Sequence, residues 1–503
     1  MDFDRILASA FAKPKDEGAL AELARAALQE EREEDALTLL QSASEQSRSA
    51  RLWQWRGLLE RSLDEHQLSL DSFSQAAALA PTDPSIAHGR ARVALEAGVP
   101  AGELFKAALR NSPGDPDILL GYVASLLADG QAAAAETTLE SALSRAPLWV
   151  DGHAQLAQLR SITGKRGMAA SLLVAALRQH STAPGLWLAL FQLLTQMGQF
   201  TGLAEAVERA RQVVPRNELL RYELIAAVEG GDVDRADRLL GDMPQAIRSS
   251  LAIWSIRHDL RTGRIGSASA TVDAALKSEL APDIWPYAAT VWRLAGDHRS
   301  SWLEGDLEGS VRAIDLSATL ARQPGLEDTL RHLHAGKTEF LDQSVRGGSQ
   351  TDGPLFTRID PSIRALRSAI TGAIRDYVDG LGPPDPNHPL LGPVRNRRVR
   401  FAGSWSVLLR GSGFHANHVH PQGWISSAMY IHLPERGPDE PPTAGWLALG
   451  EPQAELDVDL PVFAEIEPQV GRLVLFPSWM WHGTRPFQAG ERLTVAFDVK
   501  QPR

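Results

Sequence analysis

Three histidines crowd the stretch GFHANHVHPQGW at residues 413–424: His415, His418 and His420. The whole chain of 503 residues holds only 14. In an extended segment alternate side chains share a face. His418 and His420 therefore point together, and His415, three positions before His418, is expected to face away as a flanking or substrate-side residue. Two imidazoles on one face can share a metal ion. A third ligand must come from another strand, and His482 in GRLVLFPSWMWHGTRP, after an apolar run and a tight turn, is the candidate. Three ligands on one face leave positions open, which redox chemistry at a metal requires. Arg492 opens the apolar strand ERLTVAFDV. A guanidinium there is costly unless it meets a carboxylate, and a bound dicarboxylate would supply a bidentate partner. A single histidine in a polar loop, or a single arginine at a strand start, is ordinarily a surface residue. The set, spread over separate β runs, is what points to a site.

The elements that must position these residues are short strands. From about residue 398 the sequence falls into β runs separated by Gly/Pro turns: RVRFAGSWSVLLR, ISSAMYIHL, GWLALG, GRLVLFP and RLTVAFDV. Such a pattern argues for a sandwich or barrel. On ISSAMYIHL, alternation places Ser426, Ala428, Tyr430 and His432 on one face, suited to a ligand cavity, and Ser427, Met429, Ile431 and Leu433 on the other. Trp424, Trp479 and Trp481 are candidates to wall a pocket, or to pack in the core. Upstream, PSIRALRSAITGAIRDYVDGLG at 361–382 reads as an amphipathic helix closed by glycine, and LDQSVRGGSQTDGPLF reads as a loop.

Residues 1 to about 300 use a different alphabet, rich in Ala, Leu, Arg and Glu with helical apolar spacing. Gly98, Gly130, Gly164, Gly198, Gly230, Gly263 and Gly296 recur every 32 to 34 residues, with Pro81, Pro113, Pro147 and Pro215 in phase. A period of about 34 residues marks a helix–turn–helix solenoid. Each glycine is expected to end the first helix of a pair, where a left-handed conformation costs it little. Small residues such as Ala135, Ala142, Ala169, Ala176 and Ala210 let paired helices approach. The units resemble tetratricopeptide repeats, although the large aromatics usual in the first helix are mostly missing. A solenoid of this kind implies a concave surface for a peptide or protein, or else a scaffold arm.

The segment from LDQSVRGGSQT through SWSVLLRGSGFHANHVHPQGWISSAMYIHLPE to GRLVLFPSWMWHGTRPFQAGERLTVAFDV resembles the iron(II)/2-oxoglutarate-dependent oxygenases of the prolyl-hydroxylase-like superfamily. The resemblance implies a double-stranded β-helix, with Fe(II), 2-oxoglutarate and O2 as cofactor and cosubstrates. It implies His418 and His482 as iron ligands and Arg492 as the partner of the distal carboxylate of 2-oxoglutarate. Tyr430 would assist Arg492, with Ser426 on the same cofactor-binding face. His420 stands where the superfamily usually has Asp or Glu, so the site holds either three histidine ligands or two with His420 beside them. The expected architecture is multidomain α + β: an N-terminal α-helical tetratricopeptide solenoid (1–300), a helical linker (301–335) and a C-terminal double-stranded β-helix, or jelly roll (336–503).

Composition narrows the functional classes. There is no cysteine, which excludes disulfides, thiolate metal sites and cysteine nucleophiles. A net charge of −11 argues against non-specific nucleic-acid binding; the basic run RNRRVR at 395–400 is expected to be a solvated strand edge. No apolar run is long enough to cross a membrane, and the start does not read as a secretory signal, so a cytoplasmic location is expected. The leading expectation is a dioxygenase that hydroxylates a peptide or protein held by the concave face of the repeats. The alternatives are a cupin-like metal enzyme that does not use 2-oxoglutarate, suggested by Gly471, Pro477 and His482, and a non-catalytic adaptor.

Overall fold

A computed structural model describes residues 2–341 and 344–502. The chain divides into two compact units, Met1–Glu140 with Asp352–Arg367, and Ser141–Thr351 with Ser368–Pro502.

The first unit is built of paired helices. The helices Pro84–Glu96 and Pro116–Ala128 start in the same way. Asp83 and Asp115 each accept two backbone N–H bonds of the first turn, and proline takes the next position, where no N–H is needed. Each such cap is worth roughly 1 kcal/mol. Gly98 and Gly130 then leave the helices at φ +74° and +73°. The expected left-handed glycines recur along the array at 164, 198, 263 and 296. The exception is Gly230, which stays helical while its neighbour Gly231 takes φ +77°. Ala135, Leu139, Ala169, Leu173, Ala176, Val207 and Ala210 are buried, as the repeat pattern requires.

The second unit continues the helical pairs and carries the β structure. Among the described residues nine strands are formed: β1 (Arg312–Asp315), β2 (Val345–Gln350), β3 (Phe401–His415), β4 (Gly423–His432), β5 (Leu447–Leu449), β6 (Ala464–Ile466), β7 (Arg472–Pro477), β8 (His482–Thr484) and β9 (Glu491–Lys500). They make a six-stranded sheet of order β1-β7-β4-β9-β3-β2 and a three-stranded sheet of order β6-β5-β8. All recorded pairings are antiparallel. This is the jelly-roll arrangement, with a bridge from His418 to His482. All five β runs read from the sequence are strands, and the amphipathic helix is Pro361–Asp379.

Two readings need correction. The linker at 301–335 is not helical throughout: β1 interrupts it and pairs with β7 from Arg312↔Leu475 to Asp315↔Arg472. Four residues carry too little periodicity to mark a strand; the exposed edge of β7 supplies their partners. Likewise 345–350, read as loop, is β2 against β3. Its two glycines hid it, and one of them, Gly347 at φ +70°, stands where the register slips between Arg346 and Gly348. Residues 342–343 of that segment lie outside the described residues.

The last repeats do not end before the β structure begins. Helices Ala252–Arg261, Ile265–Ala275 and Ala281–Ala295 share one hydrophobic core with Tyr430, Leu447, Leu449, Val474, Phe476, Trp479 and Trp481. Trp481 Nε1 donates to the Pro286 carbonyl (3.1 Å) and to Thr290 (3.0 Å), and its ring meets Tyr287 edge-on. Arg293 Nη1 donates to the Gly450 carbonyl at 2.5 Å, and Nη2 to that of Pro461. Arg257, paired with Glu229 through Nε (2.6 Å) and Nη2 (3.0 Å), also reaches Gln453 at 2.8 Å. The final helices of the array thus hold the 450–463 loop of the β structure.

Candidate metal and dicarboxylate site

A cavity of about 480 Å³ lies between the two sheets. Its walls include Trp405 and Val407 of β3, Ala428 of β4, Phe476 of β7, His482 and Thr484 of β8, and Arg492, Thr494 and Ala496 of β9. Residues 492, 494 and 496 face inward because strand parity sends Leu493, Val495 and Phe497 into the core on the other side.

His418, His420 and His482 converge here. Their ring nitrogens come within 4.8 Å of one another, the one such group of three potential ligands among the described residues. His418 and His482 are held by reciprocal backbone hydrogen bonds of 2.9 and 3.0 Å, and His420 N donates to the Ser478 carbonyl. Each imidazole also donates from Nδ1 to an atom that can only accept: His418 to the Ala416 carbonyl (2.8 Å), His482 to the Met480 carbonyl (3.0 Å), and His420 to Asp498 Oδ2 (2.5 Å). The tautomer follows. Nδ1 carries a proton in each, and in His418 and His482 Nε2 offers a lone pair to the centre. Ser344 Oγ lies 3.2 Å from His418 Nε2. Burial is the largest cause holding His418 and His482 well below the usual imidazole range, reinforced by the neighbouring histidines. Neutral imidazole is the form that binds metal.

Arg492 is 2 % exposed, and its Nε and Nη1 have no hydrogen-bond partner among the described residues. Its guanidinium carbon lies 5.0 Å from the ring centre of Tyr430. Burial lowers the Arg492 pKa, opposed by Tyr430, and raises that of Tyr430, opposed by Arg492. Arginine stays charged, so an unpaired buried guanidinium at a cavity wall costs several kcal/mol, on the order of 3–5, unless an anion completes it. The donor set therefore fits both groups implied by the sequence: a metal at the three Nε2 atoms and a carboxylate at Arg492.

Residues 403–498 match the family model described as "Putative 2OG-Fe(II) oxygenase". Residues 101–159 match the tetratricopeptide-repeat model. The chain is thus similar to repeat proteins over one stretch and to that oxygenase family over another. No curated protein matches the chain. Several solved structures are similar to the helical part of the chain. One is a tetratricopeptide-repeat protein from Parabacteroides merdae, with 16% identity over 47% of this chain and 98% of its own, at a TM-score of 0.30. Another is MamA from Desulfovibrio magneticus, with 15% identity over 33% and 95% and a TM-score of 0.29. A third is a thermophilic repeat protein from Thermus thermophilus, with 20% identity over 34% and 95% and a TM-score of 0.27.

Around the cavity several expected placements change. His415 does not face away. The strand ends at His415 and the chain bends at Asn417 before the His418 bridge, which resets parity. His415 lines the cavity, stacks on His418 at 6.0 Å and contacts Thr484 at 3.2 Å; its pKa is pushed down to about 3 by burial, then by Arg492 and His420. His432 leaves the face of Tyr430 because the register shifts between them, and it pairs with Glu327 at 3.2 Å. Ser426 does not line the cavity; its hydroxyl donates to Asp498 Oδ1 at 2.6 Å. Trp424, Trp479 and Trp481 are core residues, and the tryptophan at the cavity is Trp405, 5.4 Å from the His420 ring. The run 395–400 precedes β3 as a loop, with Arg395 donating to the Leu381 and Leu391 carbonyls. Asp498 escaped notice in the sequence. The alternation that brings Arg492 to the cavity face reaches Asp498 in three further steps, and that was the available signal.

Proposed function

We propose that the protein is an Fe(II)- and 2-oxoglutarate-dependent dioxygenase that hydroxylates a peptide or protein substrate recruited by the repeat array. The observation that carries this reading is the pairing, in one cavity, of three Nδ1-protonated histidines with an unpaired buried arginine. A cupin-like metal centre without 2-oxoglutarate would leave Arg492 without a partner. His418, His420 and His482 would hold the iron, and Arg492 the distal carboxylate of 2-oxoglutarate. When bound, iron with 2-oxoglutarate activates O2, so that the cosubstrate is decarboxylated to succinate and a substrate C–H bond is hydroxylated. The chain's own part is positional. The carbonyls of Ala416 and Met480 fix the planes of two imidazoles. The Tyr430 ring packs on the Arg492 guanidinium from the core side of the cavity wall, and its hydroxyl would add to the hold on the same carboxylate. Phe476, Val407 and Ala428 supply apolar wall between the histidines and Arg492.

The test is anaerobic titration of the full chain with Fe(II) and 2-oxoglutarate, followed by the visible charge-transfer band of the chelate. The band is expected to appear. Arg492→Ala is expected to weaken 2-oxoglutarate binding by about 100-fold, the loss of one charge-assisted pair, with metal affinity unchanged. Equal 2-oxoglutarate affinity in wild type and variant would refute the arginine assignment. No band at all would refute the oxygenase and favour an adaptor.

A further inference from the structure

His418 and His482 each lean on a backbone carbonyl; His420 alone leans on a charged group. Its partner, Asp498, is 8 % exposed and sits at the far end of the strand that Arg492 opens. One carboxylate oxygen accepts from His420 Nδ1 at 2.5 Å, and the other accepts from Ser426 Oγ at 2.6 Å. Ser426 Oγ in turn lies 2.9 Å from Ser478 Oγ. The backbone fixes the same geometry: Ser426 is the β-partner of Asp498, and His420 N is bonded to the Ser478 carbonyl. Gly423 leaves room for the network, since a Cβ there would fall 2.5 Å from Ser478 Oγ and 3.2 Å from Asp498 Cβ. A buried carboxylate with both oxygens engaged, one of them on a histidine aimed at the cavity, is the arrangement that orients a metal-bound imidazole and strengthens it as a donor.

We propose that Asp498 is the positioning residue of this centre: it supplies negative charge to the metal through His420, in place of a carboxylate bound to the metal directly. The proposal rests on the metal-centre reading above. It accounts for a histidine where a carboxylate ligand is usual. The charge has moved one imidazole outward, and the centre still has one compensating anion.

The experiment is Co(II) titration of the full chain, read by visible d–d absorption and by calorimetry. Asp498→Asn keeps the shape and an acceptor for His420 but removes the charge. It is expected to lower Co(II) affinity by about 10–100-fold and to shift the d–d bands. A second background separates this role from a merely structural one. In His420→Ala the imidazole that links Asp498 to the metal is gone. There, adding Asp498→Asn is expected to leave Co(II) affinity within about twofold. The proposal is overturned if Asp498→Asn binds within twofold of wild type, or if it costs affinity equally in both backgrounds. His418→Ala separates the two levels of the argument. Loss of Co(II) binding in His418→Ala with an unaffected Asp498→Asn removes the Asp498 role alone. Binding undiminished in His418→Ala removes the metal centre, and this proposal with it.

Discussion

At the scale of single residues, the cavity is a set of polar atoms whose partners are missing or shared. Tyr430 is fully buried, and its ring packs on Arg492. If both serve one carboxylate, Tyr430→Phe removes a single hydrogen bond and keeps the ring. The expected cost in 2-oxoglutarate affinity is about 0.5–1.5 kcal/mol, up to roughly tenfold, far below that of Arg492→Ala. Calorimetry with 2-oxoglutarate in the presence of Mn(II) measures it; a loss as large as that of Arg492→Ala would place Tyr430, not Arg492, as the main anchor.

At the scale of elements, the repeats carry a second series of glycines besides those at the turns. Gly89 and Gly121 lie inside helices, and a Cβ at either would fall 2.3 or 2.2 Å from the ring of Phe73 or Phe105. These glycines let one helix of a pair lie directly on an aromatic ring of its neighbour. Gly121→Ala is expected to destabilise the helical unit by about 1–3 kcal/mol, as overpacking does, even though alanine is the better helix former. Urea denaturation followed by far-UV circular dichroism tests this; an unchanged or higher midpoint would show that Phe105 moves aside freely. The β strands were legible where they were long and apolar, as in β4, β7 and β9. β1, β6 and β8 were not, because three or four residues derive their strand character from the neighbour they pair with rather than from their own pattern.

At the scale of the molecule, the end of the repeat array and the β structure share one core, and that junction holds a group sensitive to pH. Glu304 is buried, and burial raises its pKa to about 7, opposed by Arg293 at 3.7 Å. An unfolded glutamate titrates near 4.5. Between those values the folded chain keeps a proton that the unfolded chain gives up. Stability is therefore expected to fall as pH rises from about 4.5 to 7, by on the order of 1–3 kcal/mol from this group. Glu304→Gln should flatten that part of the profile of melting temperature against pH. A slope unchanged in the variant would assign it elsewhere. Among the described residues no helix is long and apolar enough to cross a membrane.

The sequence by itself determined the period of the repeats, the change of architecture towards the C-terminus, and His418, His420, His482 and Arg492 as a candidate set. Each of these is a local or periodic property, written in residue types at fixed spacing. What only the tertiary structure decided depends on pairing between distant segments. Parity predicted a side for His415 that a bend at Asn417 reversed. Ser426 shares a strand face with Tyr430 but spends its hydroxyl on Asp498. Asp498 is 78 positions from His420, and nothing near either residue announces the other. The helix before residue 300 shares a core with the β structure, where Trp481 finds hydrogen-bond partners 191 and 195 residues earlier. A histidine triad can be read along the chain; the groups that orient it are fixed only when the strands close around it.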